Sequence, residues 1–221
     1  TISWPLGKML FGIERPLQKD PNEPEFFIYL DISANSDEEL NIKQGILDSI
    51  IERIVDKGNR LDRPIEIPLL IRLSPELSRF AEFPMTLDFL LKHSGNGLTW
   101  VGCYGPTNNW ERGVKQGGEI LADNGFSPIT VTRPMKGGHF GVLRFIIPFN
   151  QQDTEELTKV RKVNAKLCDL ALDLGFIPYK APAWAVKKLL KRMDPGFLNL
   201  MRTVKTTLDP NRIMNPGRWL L

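Results

Sequence analysis

The chain is poor in the side chains on which most metal and thiol chemistry depends. Its 221 residues include two cysteines and two histidines. Cys103 and Cys168 have no CxxC or CxxH context, which indicates buried thiols in a reducing compartment. Neither His93 nor His139 has cysteine, histidine and aspartate residues clustered around it in the sequence, so we expect no transition-metal site.

Long apolar runs and charge of one sign are also missing. No stretch approaches the roughly 18 consecutive apolar residues of a membrane span, and the opening residues lack the two regions of a secretory signal. The 29 basic and 26 acidic residues are interspersed, without the basic stripe that is typical of nucleic-acid binding. We therefore expect a cytoplasmic protein that has no membrane span and binds no nucleic acid.

Common catalytic and cofactor motifs are absent as well. The chain contains no P-loop, no G-x-G-x-x-G that opens a helix after a strand, no H-E-x-x-H and no G-x-S-x-G. Gly117 and Gly118 stand inside a helical pattern, which predicts a close packing contact rather than a phosphate-binding loop.

In the first part of the chain, the pattern predicts a strand, a helix and a second strand. Residues 25–33, "EFFIYLDIS", and residues 64–73, "PIEIPLLIRL", are the predicted strands. Between them, Ser36 and Glu39 have the spacing of a capping box. An apolar stripe follows up to residue 58, consisting of Leu40, Ile46, Leu47, Ile50, Ile51, Ile54 and Val55.

The second part repeats the alternation of strands and helices. We predict strands at 98–105, 127–135 and 141–149 and helices at 108–125, 153–175 and 195–208. Asp153 caps the second of these helices and Gly175 ends it. The fold class is therefore α+β, a ferredoxin-like antiparallel sheet with helices mainly on one face, plus a C-terminal helical tail. Two proline turns bend this tail back, which predicts that it docks on another surface.

Several side chains admit both a structural and a functional interpretation. His139 follows a glycine turn and is either a hydrogen-bonded histidine at a sheet end or a proton acceptor at a pocket mouth. Tyr179 and Lys180 are either surface residues of a connector or a pair that stabilises an anionic oxygen. The aromatic residues in and after the first strand of the second part either line a cavity or belong to the core; they are Trp100, Tyr104 and Trp110.

The tail "LDPNRIMNPGRW", residues 208–219, resembles the end of the FAD-linked oxidases of the vanillyl-alcohol oxidase and p-cresol methylhydroxylase superfamily. Three further segments, "GNGLTWVGCYGP", "GGHFGVLRFIIPFN" and "GFIPYK", resemble the cap domain of that family. The resemblance covers residues 95–221 and implies a cap whose FAD is bound mainly by a domain that these residues lack. It divides the chain into 1–25 as a linker or the end of a preceding domain, 26–192 as the cap and 193–221 as a helix and tail that pack on the FAD-binding domain.

The resemblance also implies roles for single residues. Tyr179 and Lys180 fall on the Tyr-Arg pair that holds a substrate phenolate, although lysine offers a point charge in place of a bidentate guanidinium. His139 is assigned a hydrogen bond or a proton transfer. The remaining assignments are Trp100, Tyr104 and Arg144 to the substrate pocket and Asn215, Pro216 and Gly217 to the cofactor side.

The implied reaction is hydride transfer from a phenolic alcohol or a hydroxy-acid-like substrate to flavin. Gly97 stands where some relatives attach flavin through a histidine, so no covalent bond is expected there. The metal motif of the lactate and glycolate branch is missing. The implied partners are an FAD-binding domain, in the same chain or as a subunit, a small organic substrate and a possible second copy of the chain. The alternative is a ferredoxin-like binding or assembly module without catalysis.

Overall fold

The computed structural model describes residues 26–57, 60–62, 64–73, 75, 88–92, 94–135 and 137–217, with residues 70 and 73 described only by their backbone. The chain divides into two compact units, residues 1–89 and 90–221. The domain boundaries expected after residues 25 and 192 stay predictions. No described helix is both long and apolar enough to cross a membrane.

The first unit contains helices α1 (Asp37–Val55) and α2 (Ile67–Leu73), and the short helix α3 (Asp88–Leu91) stands where the chain passes to the second unit. The predicted capping of α1 is confirmed, because Ser36 Oγ accepts a hydrogen bond from the Glu39 amide at 3.2 Å. Glu39 reaches back to the amide of Asn35 at 2.9 Å. No residue of α1 is buried. The described residues therefore do not bury the apolar stripe of this helix.

Both strands predicted in the first unit are wrong. Residues 26–34 have no regular secondary structure. Residues with high strand propensity form a strand only where a neighbouring strand pairs with their backbone. The second predicted strand contains helix α2, where Pro68 lies in the first turn. A proline is tolerated there because the first amides of a helix have no partner within it.

The second unit alternates strands and helices. The elements are, in chain order, β1 (Asn96–Pro106), α4 (Trp110–Asp123), β2 (Ile129–Pro134), β3 (Phe140–Asn150), α5 (Thr154–Asp173), β4 (Ile177–Pro178), α6 (Ala183–Leu190) and α7 (Pro195–Leu208). A 3₁₀ helix, Thr107–Asn109, precedes α4. The four strands form an antiparallel sheet in the order β2-β3-β1-β4. The predicted fold class is confirmed.

The hydrophobic core lies between the sheet and its helices. Cys103 of β1 and Leu143 and Phe145 of β3 point into it and are fully buried. Helix α4 contributes Leu121, and α5 contributes a row of five buried residues, which are Val160, Val163, Leu167, Cys168 and Ala171. Because side chains alternate along a strand, the neighbours of the core residues in β1 and β3 point to the second face of the sheet.

Helix α5 begins and ends as the sequence predicts. Asp153 Oδ1 accepts hydrogen bonds from the amides of Glu155 at 2.9 Å and Glu156 at 3.1 Å. At the other end, the Phe176 amide donates to the Ala171 carbonyl at 2.8 Å and Gly175 has φ of 80°. This is a Schellman motif, in which glycine takes the left-handed conformation without steric cost. It carries the chain directly into β4.

Of the glycine pair in α4, Gly117 makes the predicted packing contact and Gly118 does not. A Cβ atom on Gly117 would lie 2.0 Å from Cε1 of Phe145, whereas Gly118 faces only Pro128, at 3.7 Å. The missing side chain at Gly117 therefore lets the core ring of Phe145 approach the helix backbone.

The C-terminal tail folds back on helix α7, as the two proline turns predict. Asp209 is buried and accepts hydrogen bonds from the amides of Ile213 at 2.9 Å and Met214 at 3.1 Å. Lys205 pairs with the same carboxylate and also donates to the Met214 carbonyl at 2.6 Å. Together these bonds hold the backbone of Ile213 and Met214 beside the end of α7. The last four residues of the predicted tail, 218–221, lie outside the described residues.

Candidate functional site

The second face of the sheet carries most of the predicted site residues. In the register of β1 and β3, Gly102 lies opposite Arg144 and Tyr104 lies opposite Val142. Directly paired residues of antiparallel strands point to the same side, so these four residues share one face, and Trp100 shares it because it is two residues from Gly102. Trp100 and Tyr104 are 40% and 38% exposed. We call this surface the site face.

Tyr179 reaches the site face from the end of β4. Its amide donates a hydrogen bond to the Gly102 carbonyl at 3.2 Å, which anchors the backbone beside β1. Its ring lies across Gly102, where a Cβ atom would be 2.3 Å from the phenol oxygen and 2.5 Å from Cζ. Only a glycine leaves room for the phenol at this position, since every other residue type would carry that Cβ atom.

The phenol oxygen of Tyr179 is held by a cation. Arg144 Nε donates a hydrogen bond to it at 3.0 Å, and the Arg144 guanidinium carbon is 5.8 Å from the centre of the Tyr179 ring. Both side chains are half-buried. Because a guanidinium has five N–H donors, one bond to Tyr179 leaves donors for a further acceptor.

Aromatic rings continue from this pair toward the β2–β3 hairpin. The Tyr104 ring centre is 5.0 Å from that of Tyr179 and 6.4 Å from that of Phe140. Phe140 in turn lies 5.5 Å from the ring of His139. Distances of this size are those of interacting aromatic pairs. The site face therefore carries a row of aromatic rings beside one polar group, the hydrogen-bonded pair of Arg144 and Tyr179.

The structure brings some predicted site residues together and separates others. Tyr179, Arg144 and Tyr104 form one contact group. His139 is exposed at the hairpin, and among the described residues the rings of Phe140 and Tyr104 link it to Tyr179. Lys180 is exposed and makes no hydrogen bond or ion pair with any residue in the described ranges. The other histidine of the sequence, at position 93, lies outside those ranges.

Trp110 does not belong to the site face. It opens helix α4 and packs against the core, where its ring would lie 2.3 Å from a Cβ atom on Gly141. Gly141 pairs with Gly105 and so points to the helix side of the sheet. The cavity-lining interpretation of Trp110 is therefore wrong, because the tryptophan fills space above a glycine in the core.

The two cysteines are core residues, as predicted. Both are almost fully buried. Burial raises the pKa of the Cys103 thiol to about 12, with a smaller contribution from Cys168, and burial is also the main cause of the raised pKa of Cys168. Both thiols stay protonated near neutral pH, and a thiol is a poor nucleophile.

The residues assigned to the cofactor lie in the tail, and the position at which no covalent bond to flavin is expected lies in β1. Asn215, Pro216 and Gly217 are exposed in the tail, where Asn215 has φ of 47° and Gly217 has φ of 73°. Gly97 is buried at the start of β1, where a Cβ atom would be 2.4 Å from the Phe149 carbonyl oxygen. A histidine side chain does not fit at position 97 unless Phe149 moves. In the part of the chain that the structure describes, no three histidine, cysteine or acidic residues are placed to hold a metal ion.

Comparison with known proteins connects this geometry to a family. Residues 119–219 match the family model described as "FAD linked oxidases, C-terminal domain". The fold is similar to a crystal structure of p-cresol methylhydroxylase with substrate bound, with a TM-score of 0.60 and 15% sequence identity. That match covers 83% of this chain and 36% of the other, so the chain spans about a third of that protein. No curated protein matches the chain by sequence.

Proposed function

Because residues 119–219 belong to the C-terminal domain of the FAD-linked oxidases, we propose that the chain is the substrate-binding part of an FAD-dependent oxidoreductase. The cofactor is bound mainly by an FAD-binding domain, in the same longer chain or as a separate subunit. FAD, when bound, supplies the hydride acceptor for an organic substrate. We also propose a cytoplasmic location, because Cys103 and Cys168 are buried free thiols, which are typical of a reducing compartment.

The observation that carries this proposal is the Tyr179 phenol held over Gly102. Its hydroxyl receives a hydrogen bond from Arg144 at 3.0 Å, and its ring lies beside that of Tyr104. A hydroxyl that already accepts from a cation has its proton free to donate to a substrate oxygen. Tyr179 therefore binds the phenolic or carboxylate oxygen of the substrate, and the positive charge of Lys180 adds to the attraction.

The rest of the site face positions the carbon skeleton of the substrate. Trp100 and Tyr104 offer exposed aromatic surface on β1, which suits a phenolic alcohol and also the carbon chain of a hydroxy acid. His139 stands at the hairpin, at the far end of the row of rings. We assign it the mouth of the pocket, where an exposed imidazole accepts a hydrogen bond or a proton from the substrate.

We propose that this part of the chain covers FAD, while another domain holds most of the nucleotide. The bent backbone at Asn215, Pro216 and Gly217 is exposed, and nothing lies within 4 Å of a Cβ atom at Gly217. We assign this turn to the cofactor side of the protein. The crowding around Gly97 supports a flavin that is not covalently attached at that position.

The first prediction concerns Tyr179 in the complete flavoprotein. Tyr179→Phe removes only the hydroxyl, so we expect kcat/KM to fall about ten- to hundredfold, the range of a hydrogen bond to a charged group. The melting temperature should change little. Flavin reduction by a panel of phenolic alcohols and hydroxy acids, followed by absorbance, measures the effect.

Tyr29→Phe is the matched control, because Tyr29 is an exposed phenol in the first unit. Wild-type kcat/KM in Tyr179→Phe would rule out the site assignment. A complete protein without flavin absorbance would instead favour the non-catalytic module.

A further inference from the structure

We propose that Arg144, in the middle of β3, is the positioning residue that fixes the Tyr179 hydroxyl, and that Lys180, its neighbour in sequence, does not have this role. The inference rests on the proposed function of Tyr179. It adds a residue whose part in the site is to place another side chain.

The register of the sheet is the first support. Arg144 lies directly opposite Gly102, and the Tyr179 backbone is tied to the Gly102 carbonyl at 3.2 Å. Two independent connections therefore meet at Gly102, one from β3 and one from the end of β4. They place the guanidinium and the phenol on the same side of the same strand.

The contact between the two side chains is the second support. Arg144 Nε is 3.0 Å from the phenol oxygen, the ordinary length of an N–H···O hydrogen bond. The Tyr179 ring also lies beside that of Tyr104, with the ring centres 5.0 Å apart. The phenol therefore contacts Gly102, Tyr104 and Arg144, and Arg144 supplies the only polar contact to its oxygen among the described residues.

Lys180 provides the contrast. It is exposed and has no hydrogen bond or ion pair within the described part of the chain. An ammonium on a flexible stem also lacks the planar set of donors by which a guanidinium holds a fixed geometry. Its charge adds to the field at the site but does not fix the phenol.

Crystal structures of variants of the complete flavoprotein test the placement without any ligand. In Arg144→Met we expect the Tyr179 hydroxyl to move by more than about 1 Å, a displacement large enough to impair an oriented site. In Lys180→Met it should stay in place. Arg133→Met is the matched control: Arg133 lies opposite Val142 on the same face, and no described residue hydrogen-bonds its side chain.

A Tyr179 that keeps its position in Arg144→Met, or that moves in Lys180→Met, would overturn the inference. If Arg144→Met does not fold, Arg144→Leu also removes the donor at Nε, and the same displacement is expected.

Kinetics separate this inference from the proposed function. With 4-hydroxybenzyl alcohol as probe, or lactate if the enzyme is inactive on it, Arg144→Met should lower kcat/KM about ten- to hundredfold. The same change in a Tyr179→Phe background should have little further effect, because Arg144 acts through the hydroxyl. Additive losses would contradict the positioning role, whereas a Tyr179→Phe enzyme with wild-type activity would contradict the proposed function.

Discussion

Neighbouring glycines in α4 allow a paired test of the packing in the core. Gly117→Ala would place a methyl group 2.0 Å from the ring of Phe145, a fully buried residue with little room to move. We expect it to lower the free energy of unfolding by about 1 to 3 kcal/mol. Chemical denaturation followed by circular dichroism measures the change.

Gly118→Ala is the control within the same helical turn. Its methyl group meets only ordinary contact with Pro128 at 3.7 Å, and alanine is favoured over glycine in a helix by about 1 kcal/mol. It should therefore stabilise the protein or leave it unchanged. Equal destabilisation by both substitutions would mean that the ring of Phe145 does not set the cost.

The residues of the site were predictable to different degrees. Tyr179 follows from its sequence motif, because the segment leading to it is continuous along the chain. The bond from Arg144 to Tyr179 joins residues 35 positions apart and depends on the register of β1 and β3, which the sequence does not specify by itself. The sequence motif pairs Tyr179 with the adjacent Lys180, but the cation that contacts the phenol is Arg144.

Helix α7 and the turn after it form an element with its own pH dependence. The hydrogen bond from Lys205, and more weakly the amides of Ile213 and Met214, hold the pKa of the Asp209 carboxyl below its ordinary value of 3.8, although burial opposes them. A lowered pKa favours the closed turn above pH 3.8, and that contribution disappears as pH falls through the folded value.

We therefore expect the amides of Ile213 and Met214 to be protected from hydrogen exchange near neutral pH and to lose that protection below about pH 3.8. Asp209→Asn should lose protection throughout, since it removes the charge that Lys205 pairs with. Asp194→Asn, at the other end of α7, is the control, because asparagine caps a helix as well as aspartate. Protection that does not change with pH would contradict the role of Asp209.

Elements were predictable where their signals are local. The caps at Ser36 and Asp153 and the glycine end of α5 lie within a few residues of the bonds they make. The segments 25–33 and 64–73 were predicted as strands from their composition alone. Strand formation depends on a distant partner, and Pro68 in the second segment is equally suited to a first helical turn.

Considered as a whole, the second unit ends in an apolar surface that its own core does not use. Helix α7 has no buried residue. Its apolar side chains recur at helical spacing and are 49% to 73% exposed; they are Phe197, Leu200, Val204 and Leu208. A stripe of this kind is typical of a helix that packs on another surface. In the proposed flavoenzyme, we expect the FAD-binding domain to cover it.

The last prediction places a charge on that stripe in the complete flavoprotein. Leu200→Asp should lower the free energy of unfolding by at least about 2 kcal/mol, because docking on the FAD-binding domain would bury Leu200 and would desolvate a carboxylate at its place. Loss of bound flavin should accompany the lower melting temperature. Thr206→Asp is the matched control, since it adds the same charge to an exposed position half a turn around the helix. If the two variants keep equal flavin content and stability, α7 is not the surface that meets the FAD-binding domain.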